Sequence, residues 1–180
     1  MHTPTLLSRR AIPVAAAVAA AVAATVLAGS GTAGARARTA SGTPRCVSSG
    51  LVVWLDTRGS GAAGSSYYML KLTNLSGHSC TLTGYSGVSA VNLRGHQLGK
   101  AASRTSSPQP KLVKLADGAT ATEVLRIVDV SLFTPAACRP VTAAGLRVYP
   151  PNQTASKAIP FPFRACSRGG PVYLSVQAIR

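Results

Sequence analysis

The sequence predicts an all-β fold, an antiparallel immunoglobulin-like β-sandwich of about eight to nine strands held by two disulfides. Three observations predict it. Beyond an apolar N-terminal segment the chain breaks into short apolar or alternating runs separated by Gly, Pro, Asn and Ser clusters. No window of ordinary composition sustains a helical stripe long enough to nucleate a helix. All four cysteines, Cys46, Cys80, Cys138 and Cys166, lie beyond the apolar segment, as in an exported, disulfide-bonded domain.

Residues 1–35 have the order of a secretory signal peptide. Arg9 and Arg10 supply the positive start, Ala11 to Ala28 carries no charge, and Ala33-Gly34-Ala35 and Ala35-Arg36-Ala37 are cleavage candidates. The alternative is an uncleaved N-terminal membrane anchor, since about 18 apolar residues reach the lower limit for spanning. Alanine is weakly lipophilic, however, and Pro13 interrupts the run. Ser8-Arg9-Arg10-Ala11-Ile12 loosely matches a twin-arginine motif, but Pro13 again breaks the apolar pair expected after it. Leu27-Ala28-Gly29-Ser30 is a bacterial lipobox in all but its last position. Serine cannot form the lipid thioether, so the expected product is secreted and not a lipoprotein.

Residues 36–45 read as a flexible linker and 46–180 as one domain of about 135 residues, enough to bury around two-thirds of its unfolded surface. The strand runs are Leu51–Leu55, Tyr67–Leu75, Thr81–Thr83, Val88–Leu93, Lys111–Leu115, Thr120–Val130, Leu146–Tyr149, Ala158–Phe163 and Val172–Ile179. In the second run Tyr68, Leu70 and Leu72 share one face while Lys71 and Thr73 share the other. Val130 to Ala137 has room for one short helical turn, which Pro135 limits.

Four cysteines allow three connectivities. If Leu51–Leu55 and Tyr67–Thr73 form a hairpin around Asp56–Ser66, the start of the first strand meets the end of the second. That brings Cys46 to Cys80. The same logic pairs Cys138 with Cys166 across the excursion through Val148, Pro150-Pro151-Asn152 and Phe161. A metal site is disfavoured, because zinc ligands usually come as cysteine pairs two to four residues apart and none here are that close.

The stretch from Leu72 to Val88, with Thr73-Asn74, Ser76-Gly77-His78-Ser79-Cys80 and Gly84-Tyr85-Ser86-Gly87-Val88, is the most individual in the chain. It resembles the family called domain of unknown function 4232, found in actinobacterial exported proteins and lipoproteins. Further matching pieces are Gly61-Ala62-Ala63-Gly64, Leu115-Ala116-Asp117-Gly118, Cys138-Arg139-Pro140, Leu146-Arg147-Val148-Tyr149-Pro150-Pro151, and Cys166 with Leu174-Ser175-Val176. Ser86 stands where that family usually has proline. The resemblance implies export, disulfides and this fold, and it brings no catalytic residue. Physically, Asn74 and Gly77 suit a turn, and Tyr85 suits a ring tucked into one end of the domain with its hydroxyl on a backbone carbonyl.

Catalytic constellations are thin. Gly59-Ser60-Gly61-Ala62-Ala63-Gly64 has the letters of a dinucleotide fingerprint, but a strand pattern follows where the mechanism needs a helix, so a flexible hairpin loop is expected. Gly84-Tyr85-Ser86-Gly87 misplaces the second glycine of a nucleophile elbow. The carboxylates are Asp56, Asp117, Glu123 and Asp129, the first two reading as turn residues. Glu123 and Asp129 on one strand would stand about 20 Å apart, too far for paired-carboxylate hydrolysis. An enzyme would have to use His78 or His96, so a non-catalytic protein with no cofactor is expected. The sequons at Asn74 and Asn152 matter only in a eukaryotic secretory route, and the Ala- and Arg-rich composition suggests a high-GC bacterium.

Charge gives the one functional direction. Loss of Arg9 and Arg10 leaves 17 of the 19 basic residues against 4 acids. Arg94, Lys100, Arg104, Lys111 and Lys114 cluster around a Ser/Pro/Gln-rich loop and form a candidate anion-binding set for an anionic cell-wall polymer or a membrane surface. No aromatic residue interleaves with them in sequence, so specific nucleic-acid binding is not expected. The alternatives are a solvated basic surface and a structural partner of another exported protein. Intact-mass spectrometry of the secreted product should show loss of residues 1–35, no added lipid, and thiols that react only after reduction.

Overall fold

The computed structural model describes residues 42–167 and 169–180. The expected signal peptide and most of the linker lie outside the described residues. The described chain forms eleven strands: β1 Leu51–Ala62, β2 Ser65–Asn74, β3 Cys80–Leu82, β4 Gly87–Val91, β5 Gln97–Leu98, β6 Ser103–Arg104, β7 Val113–Leu115, β8 Thr120–Val128, β9 Pro140–Tyr149, β10 Lys157–Cys166 and β11 Leu174–Val176. They assemble as a five-stranded sheet β1-β2-β8-β11-β6, a four-stranded sheet β10-β9-β4-β5 and a two-stranded ladder β3-β7. The protein is all-β with two disulfides. Pairing is antiparallel except between β11 and β6, which run parallel, so the antiparallel expectation needs that correction. The chain leaves the four-stranded sheet after β5 and adds β6 to the other sheet, and such a crossover permits parallel pairing.

Alternation along the strands builds the core. Leu70 and Leu72 of β2, Leu125 and Ile127 of β8, and Leu174 and Val176 of β11 are buried from one sheet. Val88 and Ala90 of β4, Leu146 and Val148 of β9, and Ile159 of β10 are buried from the other. Each buried leucine or valine contributes roughly 1.5–3 kcal/mol relative to exposure. The sheets meet directly where the Tyr68 ring packs edge-on against Phe161 at 5.0 Å. The Tyr173 hydroxyl, fully buried, donates to the Leu98 carbonyl at 3.0 Å and ties β5 to the segment entering β11.

The β1–β2 hairpin is longer than expected. Gly59 to Ala62 are strand, with a bulge between Asp56 and Ser60, and the turn is only Ala63–Gly64. Both turn residues have positive φ, +41° and +74°, as the tight hairpin turn with right-handed twist requires. The glycine-rich string is therefore neither a flexible loop nor the start of a helix. A side chain at Gly59 would strike the Tyr68 ring, which is why a glycine suits this strand position. Asp56 is likewise a strand residue and not a turn residue. Its carboxylate accepts from Lys71 Nζ at 3.0 Å and pairs with Arg58 at 3.1 Å, and Arg58 followed by Lys71 hold it well below the usual carboxylate range.

The hairpin register places Leu51 opposite Asn74, so the ends flanking Cys46 and Cys80 converge. The structure bonds Cys46 to Cys80 and Cys138 to Cys166. The fold includes residues before Cys46: Pro44 O accepts from Thr81 N at 2.8 Å and Arg45 bridges Thr81. The last linker residues are therefore part of the fold. After β8, Val130–Leu132 makes one 3-10 turn capped by Asp129, and α1 spans Pro135–Cys138. Pro135 opens α1 at a position where its missing N–H is harmless, so it starts the helix that it was expected to limit. Lys157–Cys166 carries Pro160 and Pro162 and a bulge between Pro160 and Phe163.

Two buried polar residues organise the interior. Asn74 is 0 % exposed. Its amide nitrogen donates to the carbonyls of His78, Leu115 and Ala116, and its oxygen accepts from Ser76 N and Ser76 Oγ. Glu123, also 0 % exposed, accepts from Ser86 N at 3.0 Å and Ser86 Oγ at 3.0 Å. Burial pushes its carboxyl up to about 7, the Ser86 bonds opposing this only in part. It faces inward from β8 while Asp129 caps the turn beyond that strand, so the two carboxylates share no face.

Asn74→Ala strips partners from several buried backbone groups and should cost about 2–4 kcal/mol in chemical denaturation. Glu123 binds its proton more tightly folded than unfolded, so its protonated form stabilises most below its ordinary 4.5 and that contribution is lost as pH rises to about 7. Unfolding free energies from urea titrations should fall across that window by at most about 1.4 kcal/mol per pH unit and level off above it. Glu123→Gln should flatten this slope, whereas Asp56 and Asp129, both lowered, contribute stability that is lost only in stronger acid.

Candidate functional site

The structure distributes the five candidate anion-binding residues over three sheets. Arg94 lies in the turn joining β4 to β5, Lys100 just beyond β5, and Arg104 in β6 at the edge of the five-stranded sheet. Lys111 precedes β7, and Lys114 lies within it, opposite Thr81 of β3. All five are exposed.

The acids are engaged elsewhere. Among the described residues the ion pairs are those of Asp56 with Arg58 and Lys71. Asp117 accepts from Gly77 N at 2.9 Å, Asp129 accepts from Ser131 N at 2.9 Å, and Glu123 is enclosed with Ser86. No carboxylate within salt-bridge distance meets Arg94, Lys100, Arg104, Lys111 or Lys114 among the described residues. Their charge faces solvent without an internal counter-charge.

The histidines stand apart from this chemistry. His78 is exposed, its Nδ1 3.0 Å from Ser76 O. His96 is exposed in the β4–β5 turn, where its backbone N–H donates to Asn92 Oδ1 at 2.9 Å. It borders a shallow depression with Asn92, Leu93, Arg94 and Thr142. Neither imidazole bonds to a carboxylate among the described residues.

Arg94 borders that shallow depression, and Arg104 borders a separate concavity. A cleft of about 300 Å³ lies between the Gly84–Gly87 corner, Arg104 and the Tyr149–Gln153 turn. Gly84 bends the chain at φ +101°, and Tyr85 then projects so that its hydroxyl donates to Thr105 O at 2.8 Å. The Arg104 guanidinium lies over the Tyr85 ring, 5.6 Å from its centroid, a cation–π contact that favours this position of an exposed side chain. On the far wall Asn152 adopts φ +60°, tolerable for Asn in a turn. Its amide donates to Thr83 O at 3.0 Å, and Gln153 Oε1 accepts from Ser48 N at 3.2 Å. The Tyr149 hydroxyl has no hydrogen-bond partner among the described residues.

A second, smaller pocket of about 100 Å³ shares Asn152 and Gln153 with the first and is also bordered by Arg45, Thr81, Thr83 and Leu112. Two concavities thus adjoin, each with an arginine on its rim. The larger cleft of about 390 Å³, near Ser65, Tyr68, Asp129, Phe163 and Arg164, contains none of the basic set.

Sequence reasoning found Arg104 and the Tyr85 corner but not their association, because 19 residues and a sheet change separate them. It placed Arg45 in the linker, and named Tyr149 only in a strand run and a family match and Asn152 only as a sequon and part of a strand excursion. The available signal for Arg45 was its position beside Cys46, whose disulfide to Cys80 docks it against Thr81. The absence of aromatic residues within the basic stretch is also offset in space, since Tyr85 lies beneath Arg104.

Comparison with curated proteins and with solved structures yields no match. A family model described as "Domain of unknown function (DUF4232)" matches residues 46–180. With three-quarters of its length covered, from the first cysteine to the C-terminal arginine, the chain belongs to the DUF4232 family.

Proposed function

We propose that this protein is a secreted, non-catalytic binding module of the cell envelope, built on an immunoglobulin-like β-sandwich, that holds an anionic wall polymer through its basic surface. Two disulfides support an oxidising, extracytoplasmic setting. Among the described residues no helix is long and apolar enough to cross a membrane. The observation that carries the reading is the absence of internal counter-charge: Arg94, Lys100, Arg104, Lys111 and Lys114 are exposed while the acids serve bulge, turn, cap and core.

A polyanion with repeating charge suits cations spread over several strands better than one small ligand does. Each contact is weak and screened, and the set gains by multivalency. Attraction of this kind also raises the local polymer concentration and the encounter rate.

Binding to purified anionic wall polymer should weaken by roughly tenfold or more between 50 and 500 mM salt, as the screening length shrinks to a few ångströms. Joint reversal of Lys100, Arg104, Lys111 and Lys114 to Glu should abolish it. Salt-insensitive binding, binding to anionic vesicles in preference to the polymer, or no binding at all would overturn the proposal.

A further inference from the structure

We propose that the cleft bounded by Tyr85, Arg104, Tyr149, Asn152 and Gln153 is a subsite for one acidic sugar residue of an anionic glycan. This deepens the polymer-binding reading and rests on it. Three features of the cleft point to that chemistry.

First, its volume of about 300 Å³ is at the small end for ligand pockets and fits one monosaccharide unit better than a larger ligand. Second, its walls combine an aromatic ring with polar groups that still have capacity. A pyranose ring presents an apolar C–H face rimmed by hydroxyls, which suits the ring and free hydroxyl of Tyr149 together with the Oδ1 of Asn152. That oxygen accepts no hydrogen bond among the described residues, while the amide nitrogen donates to Thr83 O. Third, the Arg104 guanidinium lies over Tyr85, which biases a planar fork of donors toward the rim. A guanidinium so placed can meet a carboxylate or phosphate through two parallel hydrogen bonds.

An aromatic face that receives a pyranose also admits a stacked nucleobase, and a stacking polyanion distinguishes the two. The adjoining pocket, sharing Asn152 and Gln153 and edged by Arg45, gives the next residue of a polymer a place to continue. Lys114 sits opposite Thr81, which lines that second pocket. A chain lying through both would meet Arg104, then the amide pair, then Arg45 and Lys114.

The test compares Arg104→Gln with Arg94→Gln, an equal loss of charge at a site outside the cleft. Polygalacturonate supplies an acidic pyranose, its methyl ester the ring without charge, poly(glycerol phosphate) the charge without the ring, and oligothymidylate a stacking polyanion. Polygalacturonate should bind wild type about tenfold more tightly than its ester, and Arg104→Gln should remove about that factor. Arg94→Gln should weaken binding by no more than about threefold, as for an exposed charge. Tyr149→Leu, with its thermal midpoint checked, should also weaken polygalacturonate by about tenfold but leave poly(glycerol phosphate) unchanged. Arg104 is exposed, so Arg104→Gln keeps the fold and decides alone if Tyr149→Leu does not fold.

Equal effects of Arg104→Gln and Arg94→Gln on polygalacturonate would overturn the subsite while leaving polymer binding in place. Tighter binding of oligothymidylate than of polygalacturonate would also overturn it. Failure of every polyanion to bind would overturn both readings together.

Discussion

The carboxamide of Asn74 joins three parts of the chain that lie far apart in sequence. Asn74 N donates to Ala119 O, Asn74 O accepts from Gly118 N, and the side chain holds His78, Leu115, Ala116 and Ser76. One buried residue thus fixes the end of β2, the turn into β3 and the turn between β7 and β8. Because Leu51 pairs with Asn74, the start of β1 is fixed as well. Cys46 is then brought to Cys80, and Arg45 is laid along Thr81. The two-stranded ladder that carries Lys114 depends on the same bonds. A buried amide costs free energy unless its groups are satisfied, and here donors and acceptor are all used.

Charge is arranged by a related economy. Four acids serve a chain with 19 basic residues, and each is assigned to local structure: Asp56 to the β1–β2 ladder, Asp117 and Asp129 to turns, Glu123 to the core. None remains to neutralise the cations of the β4–β7 region. No acid lies between Asp56 and Asp117 in the sequence, so arginine and lysine dominate the charge there. Most of those cations stand free, but Arg104 lies over an aromatic ring at the mouth of a cleft.

Much of this fold was legible in the sequence. The alternation Tyr68-Leu70-Leu72 against Lys71-Thr73 gave the inward face of β2, and the hairpin inferred from it was enough to pair Cys46 with Cys80. The Tyr85 hydroxyl went to a backbone carbonyl as its surroundings suggested. The omissions share a cause. β5 and β6 are two residues each, too short to show a period, and they exist only because neighbouring strands offer them partners. Gly59 to Ala62 looked like a loop because glycine is common in loops, whereas here its small size admits the Tyr68 ring. The site was less legible than the fold. Arg104, Tyr149, Asn152 and Arg45 come together through long-range pairing, and periodicity is a local signal that does not encode which strands become neighbours.

β10 ends the four-stranded sheet, and an end strand normally offers a row of open backbone groups to any other extended chain. Pro160 and Pro162 remove two donors from that row, and the bulge before Phe163 bends what remains. Two copies meeting at this edge would find no regular ladder there through which to fuse. Along this edge the four-stranded sheet therefore stops at its own molecule instead of continuing into a neighbouring copy.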